Sequence, residues 1–356
     1  MNYPKLTEVF ELNNLVRDNI KKLVPYSSAR DEFKGNAYIF LDANENSLGS
    51  PHLKWYNRYP DPYQIKIKEK LSTIKKIPPE QIFIGNGSDE CIDLIYRCFC
   101  EPYRDNVIIC PPTYGMYSVS ANINAVNILE APLLPNFQLN IPLIESLVNE
   151  NTKIIWICSP NNPTGNSIHI SEIEFILNNF NGLVVIDEAY INFSKQKSCT
   201  LLINEYPNLI ILQTLSKAWG LAGLRLGIAF AQINVIYFLN KVKPPYNINQ
   251  ASQEIVEKSL DNYENVNNMI NHIVDMRDAL VETLQLFPFI EKVYPSDANF
   301  LLIKCSNATE LYAYLIDKGI VIRNRSKVEM CLNCVRITIG TEKENTMLID
   351  ALINYN

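Results

Sequence analysis

The run Leu209-Ile-Ile-Leu212-Gln-Thr214-Leu-Ser216-Lys217-Ala-Trp-Gly220-Leu-Ala-Gly223-Leu-Arg225-Leu-Gly227 sets a lysine just after an apolar stretch of strand length. An ammonium at the end of a buried strand is desolvated at a cost, unless the side chain simply reaches solvent, as lysines generally do. The surroundings weigh against that plain reading. Ser216 offers a hydroxyl, three glycines permit close backbone approach, and Arg225 follows eight positions on. Lysine beside hydroxyl and guanidinium suits an amine that forms a Schiff base next to a bound phosphate.

On either side of this stretch, from about residue 80 to 230, short apolar runs alternate with longer helical patterns. The runs are Ile82–Ile84, Val107–Cys110, Ile154–Cys158, Leu183–Ile186, Leu209–Leu212 and Gly227–Phe230. Such runs suit strands buried on both faces, spaced for crossover helices, and predict an α/β fold with a mostly parallel sheet and helices on both faces. The pattern breaks at Lys241-Val-Lys-Pro-Pro-Tyr-Asn247, a hinge or linker. Beyond it Val266, Met269, Ile273, Met276, Leu280, Leu284 and Phe287 fall at helical spacing, ended by Pro288, and short strands follow at Phe300–Ile303, Val321–Arg323 and Val335–Ile339. The expected organisation is an N-terminal arm, 1–40, packing with the small domain; a large domain, 41–243; and a smaller α+β domain, 244–356.

Ligands of open parallel sheets sit beyond the carboxyl ends of the strands, and the polar motifs lie there. Val-Val-Ile-Asp187-Glu-Ala-Tyr190 ends one run; its aspartate could equally cap a turn. Ser-Pro-Asn161-Asn162-Pro-Thr-Gly165 ends another and could be a structural loop. Ile84-Gly-Asn-Gly87-Ser88-Asp89-Glu90 reads as strand, glycine turn and helix start. Its free N–H groups and helix dipole suit an anion, although Ser-Asp-Glu also reads as an ordinary N-cap.

Composition narrows the function classes. The 356 residues carry 32 Lys and Arg against 38 Asp and Glu, a net charge of −6 with no basic block, which argues against nucleic acid or an anionic membrane as the main partner. No apolar run approaches the ~20 residues of a membrane span, and Met-Asn-Tyr-Pro-Lys shows no secretory leader. Nine scattered cysteines, an odd number, fit a reduced cytoplasmic protein. Cys331 and Cys334 form a C-x-x-C without a second ligand pair, and His52, His169 and His272 are too far apart for a zinc motif, so no metal is expected.

In this order and spacing, Asn-Pro-Thr-Gly, Asp-Glu-Ala-Tyr and Ser-Lys-x-x-Gly-Leu-x-Gly-x-Arg resemble the fold-type I pyridoxal-phosphate enzymes, with their aspartate-aminotransferase-like fold. Pro25-Tyr26-Ser-Ser-Ala-Arg30, Leu41-Asp-Ala-Asn44-Glu45-Asn46, Arg58-Tyr59-Pro60-Asp61-Pro62, Cys110-Pro-Pro-Thr-Tyr114-Gly-Met-Tyr117 and Cys331-Leu-Asn-Cys-Val-Arg336-Ile-Thr-Ile-Gly340 narrow the resemblance to the histidinol-phosphate aminotransferase family. Ser47 stands where that family usually has proline, and Asn192 where it often has aspartate; both touch loop geometry more than chemistry.

The resemblance implies pyridoxal 5'-phosphate as cofactor, held by Lys217 in a Schiff base, with Asp187 on its ring nitrogen, Asn162 and Tyr190 on its phenolic oxygen, and Tyr114 on its ring face. Ser88, Asp89, Ser216 and Arg225 would bind its phosphate, and Tyr59 would reach in from the second subunit of a homodimer. Arg323 and Arg336, in apolar strand patterns where an unpaired arginine is costly, would bind the substrate's anionic end with help from Tyr26; a structural ion pair is the plainer alternative for each. The implied reaction interconverts L-histidinol phosphate and imidazole-acetol phosphate, with glutamate and 2-oxoglutarate as the second pair, in histidine biosynthesis. An aromatic-amino-acid aminotransferase or a threonine-phosphate decarboxylase of the same fold is the nearest alternative.

Overall fold

The computed structural model describes residues 10–26, 38–52 and 54–355. Seven strands form the larger sheet: β1 (Ile82–Asn86), β2 (Asn106–Ile109), β3 (Asn127–Glu130), β4 (Thr152–Cys158), β5 (Leu183–Asp187), β6 (Leu209–Thr214) and β7 (Leu226–Ala231), in the order β1-β7-β6-β5-β4-β2-β3. Strands β2 to β6 are mutually parallel where they pair, and β7 runs antiparallel to both β6 and β1. The sheet is thus mostly parallel, as expected.

The apolar runs are continuous because each strand has two buried faces. Ile84, Ile155, Ile157, Val184 and Ile186 pack with Leu71, Ile144 and Ile173, from helices Ile65–Lys75, Ile141–Leu147 and Ile170–Asn179. Their alternates Phe83, Ile154, Trp156, Val185 and Ile210 pack with Ile95, Tyr117 and Leu239, from helices Ser88–Phe99, Met116–Ile123 and Ile233–Val242. Leu12, Val16 and Ile20 join this second layer, at a four-residue spacing that sets them on one side of the arm. The Arg17 N–H also donates to the Cys98 carbonyl at 3.0 Å. The described part of the arm therefore docks on the large sheet's helices, which corrects the expected packing with the small domain; Arg30 lies outside the described residues.

The second sheet is antiparallel: β8 (Ile290–Val293), β9 (Phe300–Cys305), β10 (Arg323–Asn324) and β11 (Cys334–Thr338), in the order β10-β11-β9-β8. Its period of two divides it cleanly. Leu301, Ile303, Val335 and Ile337 pack under helices Ala308–Asp317 and Glu342–Ile353, whereas Phe300, Leu302 and Cys334 join the large-sheet cluster. Arg336, paired with Leu302 in register, shares that second face.

Helix Tyr263–Leu284 spans both cores: Val266 and Ile270 pack with the large sheet, Leu280 and Leu284 with the small one. Met269, expected in its apolar stripe, is 41% exposed, and Ile270 takes that place. The carboxyl ends of β1, β4, β5 and β6 and the start of β7 open on one edge, and this edge faces β11.

Candidate active site

A cleft open to solvent forms on that edge. It brings together Ser88, Asp89, Tyr114, Asn162, Asp187, Tyr190, Ser216, Lys217 and Arg225, nine of the residues singled out from the sequence.

Asp187 ends β5 and is 2% exposed. Its carboxylate accepts from the Tyr117 hydroxyl at 2.8 Å and from the Ala189 N–H at 3.1 Å. Burial pushes its pKa up to about 6, against the pull of those two donors. A carboxylate held here without a cation among its described contacts is suited to a positively charged ligand atom. Tyr117 had only a place in a motif from sequence. Its ring stacks on Trp156, centroids 5.0 Å apart and 13° between planes, and that packing aims the hydroxyl at Asp187. Its position three residues after Tyr114, on the same face of a turn, was the available signal.

The other end of the cleft is built for an anion. β1 leads through Gly87, at φ 77°, into helix Ser88–Phe99, whose first N–H groups have no intrahelical acceptors. Gly87 donates its N–H to the Arg225 carbonyl at 2.7 Å. A Cβ on Gly87 would lie 2.7 Å from Arg225 Nη2, and one on Gly227 only 2.1 Å from the Ser88 nitrogen. The missing side chains let β7 and its arginine sit against the helix start. Arg225 itself adopts φ 56° and donates through Nη2 to Asp89 Oδ2 at 3.3 Å; Tyr114 donates to Asp89 Oδ1 at 3.1 Å. Asp89 thus fixes both the guanidinium and the aromatic ring.

Lys217 follows β6, and its Nζ lies 5.7 Å from the Tyr190 ring centroid. Its pKa is lowered, first by partial enclosure and then by the positive charges of Arg336 and Arg225. Tyr190 is nearly buried, which raises its pKa, and it meets the Phe300 ring edge-on at 5.1 Å. Asn162 sits on a turn tied down by its neighbour: Asn161 donates to the Pro112 carbonyl and to Thr164 Oγ1, both at 2.8 Å. Arg336 Nη1 donates to Asn162 Oδ1 at 2.5 Å, and its guanidinium lies 5.1 Å from the Phe300 ring centroid. This leaves the Asn162 NH2 group for an acceptor in the cleft.

Three expected residues stand apart. Tyr59 is half-exposed and stacks on Tyr246, centroids 4.5 Å apart, in a second cleft with Glu45 and Arg58. Tyr26 is 75% exposed and borders a third, beside Tyr63 and Lys241, because the arm packs on the large sheet's helices. Arg323 is exposed but pairs with Arg336 in register, so both side chains leave the same sheet face. Among the described residues no group of three or more His, Cys, Asp or Glu is placed to hold a metal ion, and all nine cysteines are buried and free.

A buried carboxylate at one end, an anion cradle without Cβ atoms at the other, a lysine of lowered pKa and an aromatic ring fit pyridoxal 5'-phosphate, with its cationic ring nitrogen, aldehyde and phosphate. The chain matches the family "Aminotransferase class I and II" over residues 53–352. It is 56% identical, over 345 residues, to the histidinol-phosphate aminotransferase of Flavobacterium psychrophilum, covering 96% of this chain and 98% of the relative. It resembles the solved histidinol-phosphate aminotransferase of Clostridium acetobutylicum with a TM-score of 0.77 and 25% identity, over 84% of this chain and 90% of the other. It also shares its fold with the Sinorhizobium meliloti enzyme solved in complex with pyridoxal 5'-phosphate, with a TM-score of 0.76, 21% identity, and 83% and 82% coverage. By these matches and by this cleft, the chain belongs to the class I and II aminotransferases and, within them, to the histidinol-phosphate aminotransferase family.

Proposed function

We propose that this chain uses pyridoxal 5'-phosphate to interconvert L-histidinol phosphate and imidazole-acetol phosphate, with L-glutamate and 2-oxoglutarate as the other pair, in L-histidine biosynthesis. The observation that carries the reading is the convergence of Asp187, Lys217 and Arg225 in one cleft, with Arg336 bonded to Asn162 at its mouth. When bound, the cofactor supplies an aldehyde that takes up the amino group and a ring that spreads the electrons of the reacting carbon.

The chain's own residues do the rest. Asp187, oriented by Tyr117, holds a proton on the ring nitrogen. Asn162 and Tyr190 bind the phenolic oxygen, and Tyr114 covers a ring face. Ser88 and Asp89 through their N–H groups, Ser216 through its hydroxyl, and Arg225 through its guanidinium bind the phosphate. Lys217 Nζ links to the cofactor and, once displaced by the substrate amine, takes the proton from the amine-bearing carbon. Its lowered pKa favours the neutral form that this task needs. Arg336 and Arg323 bind the anionic end of either substrate, since a planar guanidinium matches phosphate and carboxylate alike. The amino group waits on the enzyme between the two halves, so the kinetics are ping-pong.

Tyr59 serves the cleft of a second subunit, and the protein works as a cytoplasmic homodimer with shared sites. No helix of the described residues is long and apolar enough to cross a membrane. The direct test mixes cofactor-loaded protein with L-histidinol phosphate and follows the cofactor's absorption. Conversion to the pyridoxamine form is expected; an unchanged spectrum, or activity with phenylalanine and none with histidinol phosphate, rejects the proposal.

A further inference from the structure

Register places a third guanidinium beside the two already named. Arg323 pairs with Arg336 across β10 and β11, and the Arg325 N–H continues the ladder to the Cys334 carbonyl at 2.8 Å. Residues two apart on a strand leave the same face, so Arg323, Arg325 and Arg336 share one face, the one that carries Phe300 and Leu302 toward the large domain. Arg325 is half-buried. Its turn is held in place by Cys331 and Cys334, both fully buried in the large-sheet core, with Val328 and Met330 packed against them. This gives the C-x-x-C a packing role.

Two features of this cluster are costly as they stand. Among the described residues no ion pair involves any of the three arginines, so three positive charges meet without a carboxylate between them. Burial and then the charge of Arg323 lower the Arg325 pKa, and burial and then the charge of Arg325 lower that of Arg336. The Nε atoms of both, and the Ser326 hydroxyl next in the turn, are buried with no hydrogen-bond partner. An anion that presents several acceptor oxygens offsets both costs at once, and one of charge near −2 does so better than a carboxylate.

We infer that Arg325 is a substrate-binding residue, a third guanidinium that favours the phosphate end of a substrate over a carboxylate end. The inference rests on the aminotransferase reading for its substrates, but not for its anion. Arg325 would join Arg336 and Arg323 on the phosphate, while those two suffice for a carboxylate. The distinction is one of affinity, so the substitution acts on saturation and leaves the limiting rate in place.

The test uses cofactor-loaded wild type, Arg325→Gln and Arg325→Lys, each checked for an unaltered cofactor spectrum and melting temperature. Half-reaction kinetics with L-histidinol phosphate should show half-saturation raised about tenfold or more in Arg325→Gln, partly restored in Arg325→Lys, with the limiting rate within about twofold, as loss of one charge-assisted hydrogen bond predicts. With L-glutamate the shift should stay below about threefold. Equal half-saturation in wild type and Arg325→Gln, or equal losses with both substrates, overturns the inference. Inorganic phosphate, tested as a competitor of glutamate, separates this from the wider proposal. If wild type fails to convert histidinol phosphate, the proposed reaction fails, yet weaker competition by phosphate in Arg325→Gln would still support the anion site, and unchanged competition would refute it.

Discussion

Asp187 is a charge the fold carries at a cost. Its pKa rises from 3.8 to about 6, chiefly through burial, so the folded chain takes up a proton more readily than the unfolded chain between those values. The sign follows: stability of the cofactor-free protein falls as pH rises through that window and stays low above it. Asp187→Asn removes the charge and loses one of two good acceptors, so the cofactor-free variant should be more stable than wild type by about 2 kcal/mol at pH 8 and no more stable at pH 4.5. Urea unfolding at the two pH values measures this, and a constant difference would refute it. The same substitution should weaken cofactor retention, since the ring nitrogen loses its counter-charge. At this scale most of the site was legible, because Lys217, Asp187 and Asn162 follow apolar runs and Arg225 stands just before one. Tyr117 and Arg325 were not: one acts through a bond to Asp187, the other through strand register, and neither relation is local in sequence.

Among the elements, six of the seven large-sheet strands were visible as apolar runs because both faces are buried. β3, Asn127-Ile-Leu-Glu130, escaped because it lies at the sheet edge with exposed ends, and β8, Ile290-Glu-Lys-Val293, because it lies at the other sheet's edge with Glu291 and Lys292 exposed between its apolar ends. The direction of β7 was also not expected, since an apolar run reads alike either way. A signal existed: the connection 215–225 holds no helix that could carry a parallel crossover. The antiparallel β7 matters to the chemistry, because it lays Gly227 against Gly87 and Ser88 and delivers Arg225 to the helix start. Gly227→Ala puts a Cβ 2.1 Å from the Ser88 nitrogen and 2.3 Å from the Gly87 carbonyl carbon, both backbone atoms that cannot swing aside. The expected result is a loss of about 2 kcal/mol or more in stability, with cofactor released faster than from wild type. Gly223→Ala, where a Cβ meets nothing within 4 Å, is the control that should leave cofactor release unchanged.

Across the whole molecule, the segment from Tyr38 to Tyr63 departs from the burial pattern of the rest. Tyr38, Ile39, Leu41, Leu48 and Trp55 are all more than 60% exposed, although large apolar side chains are the ones folding tends to cover. Exposed apolar side chains concentrated in one segment suit a contact surface, and Tyr59, in the same segment, lines a cleft other than the one that holds Lys217. The Pro-Pro break and the change of pattern suggest a division at 243/244, but Ile248, Val256 and Leu260 beyond it pack in the large-sheet cluster; that packing, the long helix shared by both cores and the docking of the arm depend on distant partners that no local window contains. If Tyr59 completes the site of a second copy, the dimer has two-fold symmetry and each site draws on both chains. Tyr59→Ala and Lys217→Ala should each be nearly inactive alone. Co-expressed, half the dimers are hybrids with one site carrying both native residues, so activity should return to about a quarter of wild type. A site contained within one chain would give no recovery from any mixture of the two, and that result would remove Tyr59 from the cleft and leave the exposed segment without its catalytic reason.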